Sequence, residues 1–489
     1  MKMPVSDLPV ETASGDAIEL SPTLQGPASR RSTATAKEPE SLETATGIHD
    51  RSNFCAPSLD QVTLVKRKRE WSYPQGLRLE HNLHWAIGLL ELANAGDFAA
   101  NIWNDTPVPV YAIVFMAIGA TAAGVLSVFA FRDASKAWHN VKFLRRQRRG
   151  LQDHKTQLLE EAQPTQQVDV FLDITKRELY TEVINRWGMD ILMGGGAILI
   201  SAGTYLAIGG ANHKVWLASN ILSGYVGNAP IALYGLVNSF WAVVMWRRKH
   251  SHSIAAKKQL QGTVALGIVK KYCFSVELFF ALNGPTTLIG GVASMLAATR
   301  WWAYVILIPV IISSFFCNYW WRKRAGYDRP YLDLQTNMNA AGLVRALESA
   351  AEIRRAIQKG EAGDAWRQLV SDTGSLSTVL DFLVDHGMFE TFALRLVEDL
   401  RVRTILCDDA TDRVDMGVDG LLALPDHHQA IILDTAAQFI RKEGPKHFEH
   451  RQRFIAEVLG TYLSKVDTES NPREEEKLDV TQAVSSQST

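Results

Sequence analysis

VPVYAIVFMAIGATAAGVLSVFAF, residues Val108 to Phe131, carries no charged side chain. At 1.5 Å per residue a helix of this length reaches about 36 Å, enough to cross a hydrocarbon core of roughly 30 Å. A helix on the surface of a soluble domain keeps a polar face toward water, and this run has none. It decides the fold class: an α-helical protein of the membrane, with further spans to be sought on either side.

Four more apolar stretches follow. Residues 191–210 are rich in Gly and Ala, as expected where helices approach closely without a hydrophobic drive between them. The stretch from Trp216 to Trp246 would make a straight helix of about 45 Å, longer than the core it crosses, so it is expected to tilt or break. Gly224, Gly227, Asn228 and Pro230 place the interruption in its first half, packed against the next span around Asn283 to Pro285. The fourth and fifth stretches, 278–298 and 301–321, are separated by Thr299-Arg300 alone and must form a tight antiparallel hairpin. Trp301-Trp302 and Trp320-Trp321 bracket the fifth. Their separation of about 28 Å puts both pairs at headgroup level as aromatic belts.

The charges orient this bundle. Arg132, Lys136, Lys142, Arg145, Arg146, Arg148 and Arg149 follow the first span; Arg247, Arg248, Lys249, Lys257, Lys258, Lys270 and Lys271 follow the third; Arg322, Lys323 and Arg324 follow the fifth. By the positive-inside rule that face is cytosolic, and so is the C-terminus. Residues 247–276 contain no Asp or Glu, a composition that sets topology and also suits anionic lipid headgroups at these basic loops. Five spans would leave the N-terminus outside. A sixth, from about Leu83 to Trp103, would bring it inside and put Lys66 to Arg69 on the correct face. Glu91 and Asp97 oppose it, since a carboxylate near the bilayer centre costs about 2.5–3.5 kcal/mol. The charge bias over the whole chain favours six segments with both ends cytosolic, an interfacial helix being the alternative for residues 64–106.

Outside the membrane domain (107–321), residues 1–63 and 467–489 are rich in Ser, Thr, Pro and Glu and are expected to be disordered tails. The first residues lack the apolar core of a signal peptide. Residues 322–466 show amphipathic helical periodicity over 341–359, 375–386, 388–402, 427–443 and 447–465, with Gly444-Pro445 predicted to end the fourth. Phe454, Ile455, Val458, Leu459 and Tyr462 form one apolar stripe. The fold expected is thus all-α: a polytopic membrane domain of five clear spans, extendable to a sixth, followed by an autonomous cytosolic helical bundle.

Catalytic patterns are missing. The chain has no GxxxxGK phosphate loop, no GxGxxG and no GxSxG elbow,. Cys55, Cys273, Cys317 and Cys407 are widely spaced, which fits buried free thiols better than disulfides or zinc. Histidines occur as scattered pairs such as His447 and His450, read as surface residues. Asp408, Asp409, Asp412, Asp415 and Asp419 miss the calcium-loop register and are read as a solvated loop. With a net charge of −1, nothing marks a nucleic-acid partner, and no cofactor or metal is implied.

Polarity within the spans supplies the candidate intramembrane site: Asn228 and Pro230 in the third, Glu277, Asn283 and Pro285 in or beside the fourth, Glu91 and Asp97 in the marginal segment. Interrupted helices offer backbone groups to ligands inside a membrane, although proline and glycine also serve plain packing there. Three functions are weighed. The favoured one is a non-enzymatic anchor, sensor or scaffold whose cytosolic helical domain binds a protein partner. The others are a transporter or channel-like protein using the interrupted spans and, last, a membrane-embedded lipid-modifying enzyme.

Overall fold

The structure, a computed structural model, describes residues 60–67, 70–74, 79, 97–103, 108–209, 212–330, 338–359, 370–406 and 412–470. Glu91, Cys55, Cys407 and most of the 83–103 segment lie outside them. The fold is mostly helical. Four helical rods are long and apolar enough to cross a membrane: Val110–Glu160, Gln166–Ala207, His213–Gln259 and Trp302–Ala325. The apolar stretch 278–298 is the second half of a further helix, Val264–Ala297, which is not among those four.

In chain order the helices are α1 (Phe98–Ile102), α2 (Val110–Glu160), α3 (Gln166–Glu182), α4 (Met189–Ala207), α5 (His213–Ser219), α6 (Ala229–Gln259), α7 (Val264–Ala297) and α8 (Trp302–Trp320). After the last span come α9 (Ala340–Lys359), α10 (Leu376–Asp385), α11 (Phe389–Glu398), α12 (Leu400–Leu406), α13 (Val418–Leu422) and α14 (Asp426–Ser470). One end of the bundle carries the basic segments noted above and is called the basic end; the other is the far end. The segments 132–149 and 247–258 prove to be helical continuations of their spans.

Large apolar side chains face outward along the spans, among them Val114, Ile118, Val128, Leu236, Ile308 and Phe240, the last 72% exposed. Water would penalise such a belt, and lipid removes the penalty. The apolar half of α7 adds Leu282, Ile289 and Val292 to it. Between the spans the contacts are close. A Cβ on Gly203 would lie 2.5 Å from the Ser223 amide nitrogen, and one on Gly235 would strike the Thr287 carbonyl, so neither position admits a side chain.

The expected interruption in the third stretch is a π-helical turn, Asn220–Val226, followed by a short junction into α6. The rod stays continuous because Pro230 falls in the first turn of α6, where its missing N–H has no intrahelical partner to lose. Asn228 Nδ2 donates to the carbonyls of Ser223 (3.3 Å) and Gly224 (2.9 Å), quieting groups that the wide turn leaves open. The π turn itself packs on α4 and on Ala298. It is the following part of α6 that meets α7, where Ser239 Oγ donates to Gly284 O and Asn238 Nδ2 to Thr287 Oγ1.

Of the two tryptophan pairs, Trp301 and Trp302 are exposed. Trp320 donates to the Ser275 carbonyl (3.0 Å) and Trp321 packs 4.7 Å from Phe279, so the second pair also fastens α8 to α7. Gly444-Pro445 does not end a helix: α14 runs through it, because Gly444 sits against Ile357 of α9 and tertiary packing outweighs local propensity.

Two antiparallel pairings form a small sheet absent from the all-α expectation. Strand β1 (Gln61–Arg67) lies between β2 (Glu70–Ser72) and β3 (Arg413–Gly417), with Val62 opposite Met416 and Leu64 opposite Val414. Val62, Leu64 and Trp71 are buried. Part of the expected N-terminal tail and part of the expected acidic loop thus pair with each other across the length of the chain. The core they join runs unbroken from Ala242, Met245 and Phe280 at the basic end into Leu383, Phe392, Ile440 and Leu459.

Candidate functional site

The densest buried chemistry lies where the post-span helices meet the basic end. On α14, Glu449, Arg453 and Glu457 recur every four residues and share one side of the helix. The apolar stripe at Phe454, Ile455, Val458 and Leu459 occupies another side, and every residue from Gln452 to Thr461 is buried. The polar side faces α3, α6 and α7.

Lys249 of α6 and Glu457 are both fully buried and form a direct ion pair. Tyr272 of α7 donates to Glu457 Oε2 (3.1 Å) and Arg177 of α3 stands 3.6 Å from Oε1. From Arg177 the network continues. Its guanidinium donates to the Tyr327 hydroxyl, which donates to Glu178 Oε1 (2.6 Å), and Glu178 pairs with Arg329. Arg453 donates to the Gly326 carbonyl (2.7 Å) and pairs with Glu449. At the rim Arg248 grips Asp173 through two hydrogen bonds of 3.0 and 2.8 Å.

Burying two ions costs several kcal/mol each, which their mutual attraction offsets only with help from further polar neighbours. For Glu457 these are a hydrogen bond from Tyr272 to Oε2 and the charge of Arg177, 3.6 Å from Oε1, an oxygen that accepts no hydrogen bond among the described residues. Burial pushes the Tyr327 phenol up to about 12, keeping it a donor. Burial first, and then the neighbouring Arg177, brings Arg329 down to about 9. The arrangement binds four elements together by charge; among the described residues no group of three or more His, Cys, Asp or Glu is disposed to hold a metal ion.

Two smaller polar groups flank the spans. At the basic end, Arg186 on the π turn Val183–Gly188 bonds both oxygens of Asp133 (3.0 and 3.1 Å) and Glu182 (2.8 Å), beside the fully buried Asp190. At the far end, Asp97 accepts from Tyr304 OH and Asn101 Nδ2, each at 2.9 Å, with Asn228 alongside.

The residues singled out from sequence do not converge on one site. Asp97 and Asn228 do meet, at the far end. Glu277 is at the other end, 3.6 Å from His250. Asn283 is half-buried and its carbonyl accepts from Thr287, while Pro285 is exposed. Pro230 is half-buried in the first turn of α6, and Glu91 is outside the described residues. Of the cysteines, Cys273 and Cys317 are buried and free. Missed from sequence were Lys249, Glu457, Arg177, Tyr272, Tyr327 and Arg453. One signal was available: Arg453, Glu457 and Thr461 recur at helical spacing beside an apolar stripe, giving α14 two sides with something to bury.

No protein-family model, curated protein or solved structure matches the chain.

Proposed function

We propose that this chain is a polytopic, non-enzymatic membrane protein whose C-terminal helices form a cytosolic platform tied rigidly to the spans, acting as a sensor or scaffold for a protein partner. The observation that carries this is the Lys249–Glu457 pair, buried inside a core that the platform and the spans share. A domain tethered only as cargo needs no such junction; one that reports on the spans does.

Six crossings with both ends cytosolic fit this picture, and two observations support them. Pairing of β1 with β3 supports an even number of crossings between residues 61 and 417, since paired strands share one side of a bilayer. The four apolar rods and α7 make five. Leu79 packs with Val141 and Leu144 near the basic end, whereas Ala99 and Ala100 pack with Ala112 and Met116 at the far end. Leu79 and Ala99 therefore lie against opposite ends of α2, as a crossing between them requires.

Hydrogen–deuterium exchange on the full chain in nanodiscs tests the coupling. Gly235→Val wedges α6 from α7 inside the bundle, and exchange in α9 and α14 should rise in response. Unchanged exchange there, with faster exchange confined to the spans, would reject it. A transporter is the alternative, favoured by the buried Asp97 and Tyr304 and the half-buried Asn101 beside the π turn; sealed vesicles carrying the protein would then show a solute flux that Asp97→Asn abolishes.

A further inference from the structure

A cavity of about 410 Å³ opens between α7, the segment just after α8, α9 and α14, within the range of roughly 300–1,000 Å³ that accepts small ligands. Its walls carry Lys271, Arg324, Arg354, Arg355 and Arg453 against one carboxylate, Glu449. That carboxylate is already engaged by Arg354 (2.6 Å) and Arg453. Lys271, Arg324 and Arg355 are exposed and make no ion pair among the described residues.

Orientation by positive charge does not account for this. That rule acts within about 15–20 residues of a span, which covers Lys271 and Arg324. Arg354, Arg355 and Arg453 come from helices much further along the chain, folded back onto the same spot. The depth is also defined. Arg324 follows Trp321 by about 4.5 Å of helix, and Lys271 precedes the apolar half of α7 by about 10 Å, which is the headgroup zone.

We propose that this cavity binds a ligand bearing two or more clustered phosphate monoesters, as in the headgroup of a polyphosphorylated inositol lipid or the same group free in solution. Each monoester carries about −1.5 to −2, so two match the excess of cations over Glu449. Guanidinium groups meet phosphate oxygens in bidentate fashion. The incoming phosphates compete with Glu449 for Arg354 and Arg453, and Arg453 lies one helical turn from Glu457. Occupancy is thus read by the same ion network that joins platform to spans; this last step rests on the coupling proposed above, while the binding itself does not.

The test uses the purified full chain and two probes: soluble inositol trisphosphate, followed by calorimetry, and nanodiscs containing phosphatidylinositol bisphosphate, compared with phosphatidylserine nanodiscs of equal surface charge. Lys271→Gln and Arg355→Gln, both at exposed positions, should each weaken binding about fivefold, and the double variant about 25-fold. Equal affinity for both probes identifies a soluble ligand; binding in the bilayer alone identifies the lipid. Failure of the wild type to bind either probe, no preference over phosphatidylserine together with no binding of trisphosphate, or unchanged binding by the double variant would overturn the proposal. Loss of exchange coupling with binding intact would sink the coupling and leave this site standing.

Discussion

Replacing Glu457 by Gln keeps the shape of the side chain and removes its charge. Lys249 is then left fully buried, with the face of Tyr272, 5.1 Å away, as its remaining neighbour of note. Breaking one side of a buried pair costs about 3–5 kcal/mol, because the surviving ion is stranded. Lys249→Met should cost less, since Glu457 keeps Tyr272 at 3.1 Å and Arg177 at 3.6 Å. The double variant Lys249→Met, Glu457→Gln strands neither ion and should recover a good part of the loss, giving a coupling of at least about 1.5 kcal/mol. Recovery is incomplete because Arg177 and Tyr272 also lose a partner. Asp173→Asn is the control: its pair with Arg248 is partly exposed, at 32% and 21%, and should matter by about 1 kcal/mol or less. Reversible unfolding in mixed micelles, followed by helical dichroism, measures all four. Single losses below about 1 kcal/mol that add within about 0.5 kcal/mol would refute the reasoning.

His447, outside the spans, donates from Nε2 to the His386 carbonyl (2.9 Å) and is brought down by burial to about 4. An unfolded histidine titrates near 6.5, so its stabilisation is complete above that pH and is lost as pH falls from about 6.5 to 4, by up to about 3 kcal/mol. His447→Gln should flatten that part of the stability profile, and an unchanged slope would count against it. Gly203→Val pushes a side chain into Ser223 and should destabilise by about 1–3 kcal/mol or more, seen as a lower melting temperature in detergent. In a cysteine-free background, Thr63→Cys and Arg149→Cys should react with an impermeant maleimide from the same side of sealed vesicles, and Thr299→Cys from the other; opposite labelling of residues 63 and 149 would reject the six-crossing layout.

The spans were legible because lipid imposes its demand locally: a run such as 108–131 must be apolar along its whole length, whatever lies beside it. The same holds for the small residues of 191–210. Longer-range features left fainter marks. Strand β3 is five residues of an Asp-rich stretch, and only its pairing with residues 61–65, some 350 positions earlier, gives it a reason to be extended. Pro445 reads as a helix terminator, and it takes the packing of Gly444 on α9 to carry the helix past it. Lys249 is one of seven basic residues in a segment that composition alone assigns to topology; nothing nearby in the chain says that this one is buried.

Where buried polarity sits along the bundle bears on what the protein does. Asp97 and Tyr304 are at the far end; Asp133, Arg186, Glu182, Lys249 and Glu457 are at the basic end. Between them, along the contact of α6 with α7, the polar groups are neutral and bonded chiefly within the protein: Asn238 Nδ2 donates to Thr287 Oγ1 at 2.9 Å, its Oδ1 left without a partner among the described residues, and the Ser239 hydroxyl lies 2.7 Å from the carbonyls of both Gly235 and Gly284. A route for a polar solute needs groups free to exchange partners midway, as the broken helices of transporters provide. Here the middle is closed by glycine contacts too tight for a methyl group, and the wide turns lie toward the ends. Charge concentrated at one end and locked to α14 is the arrangement that the proposed junction requires, because small displacements of α6 or α7 act directly on a pair that tolerates no slack.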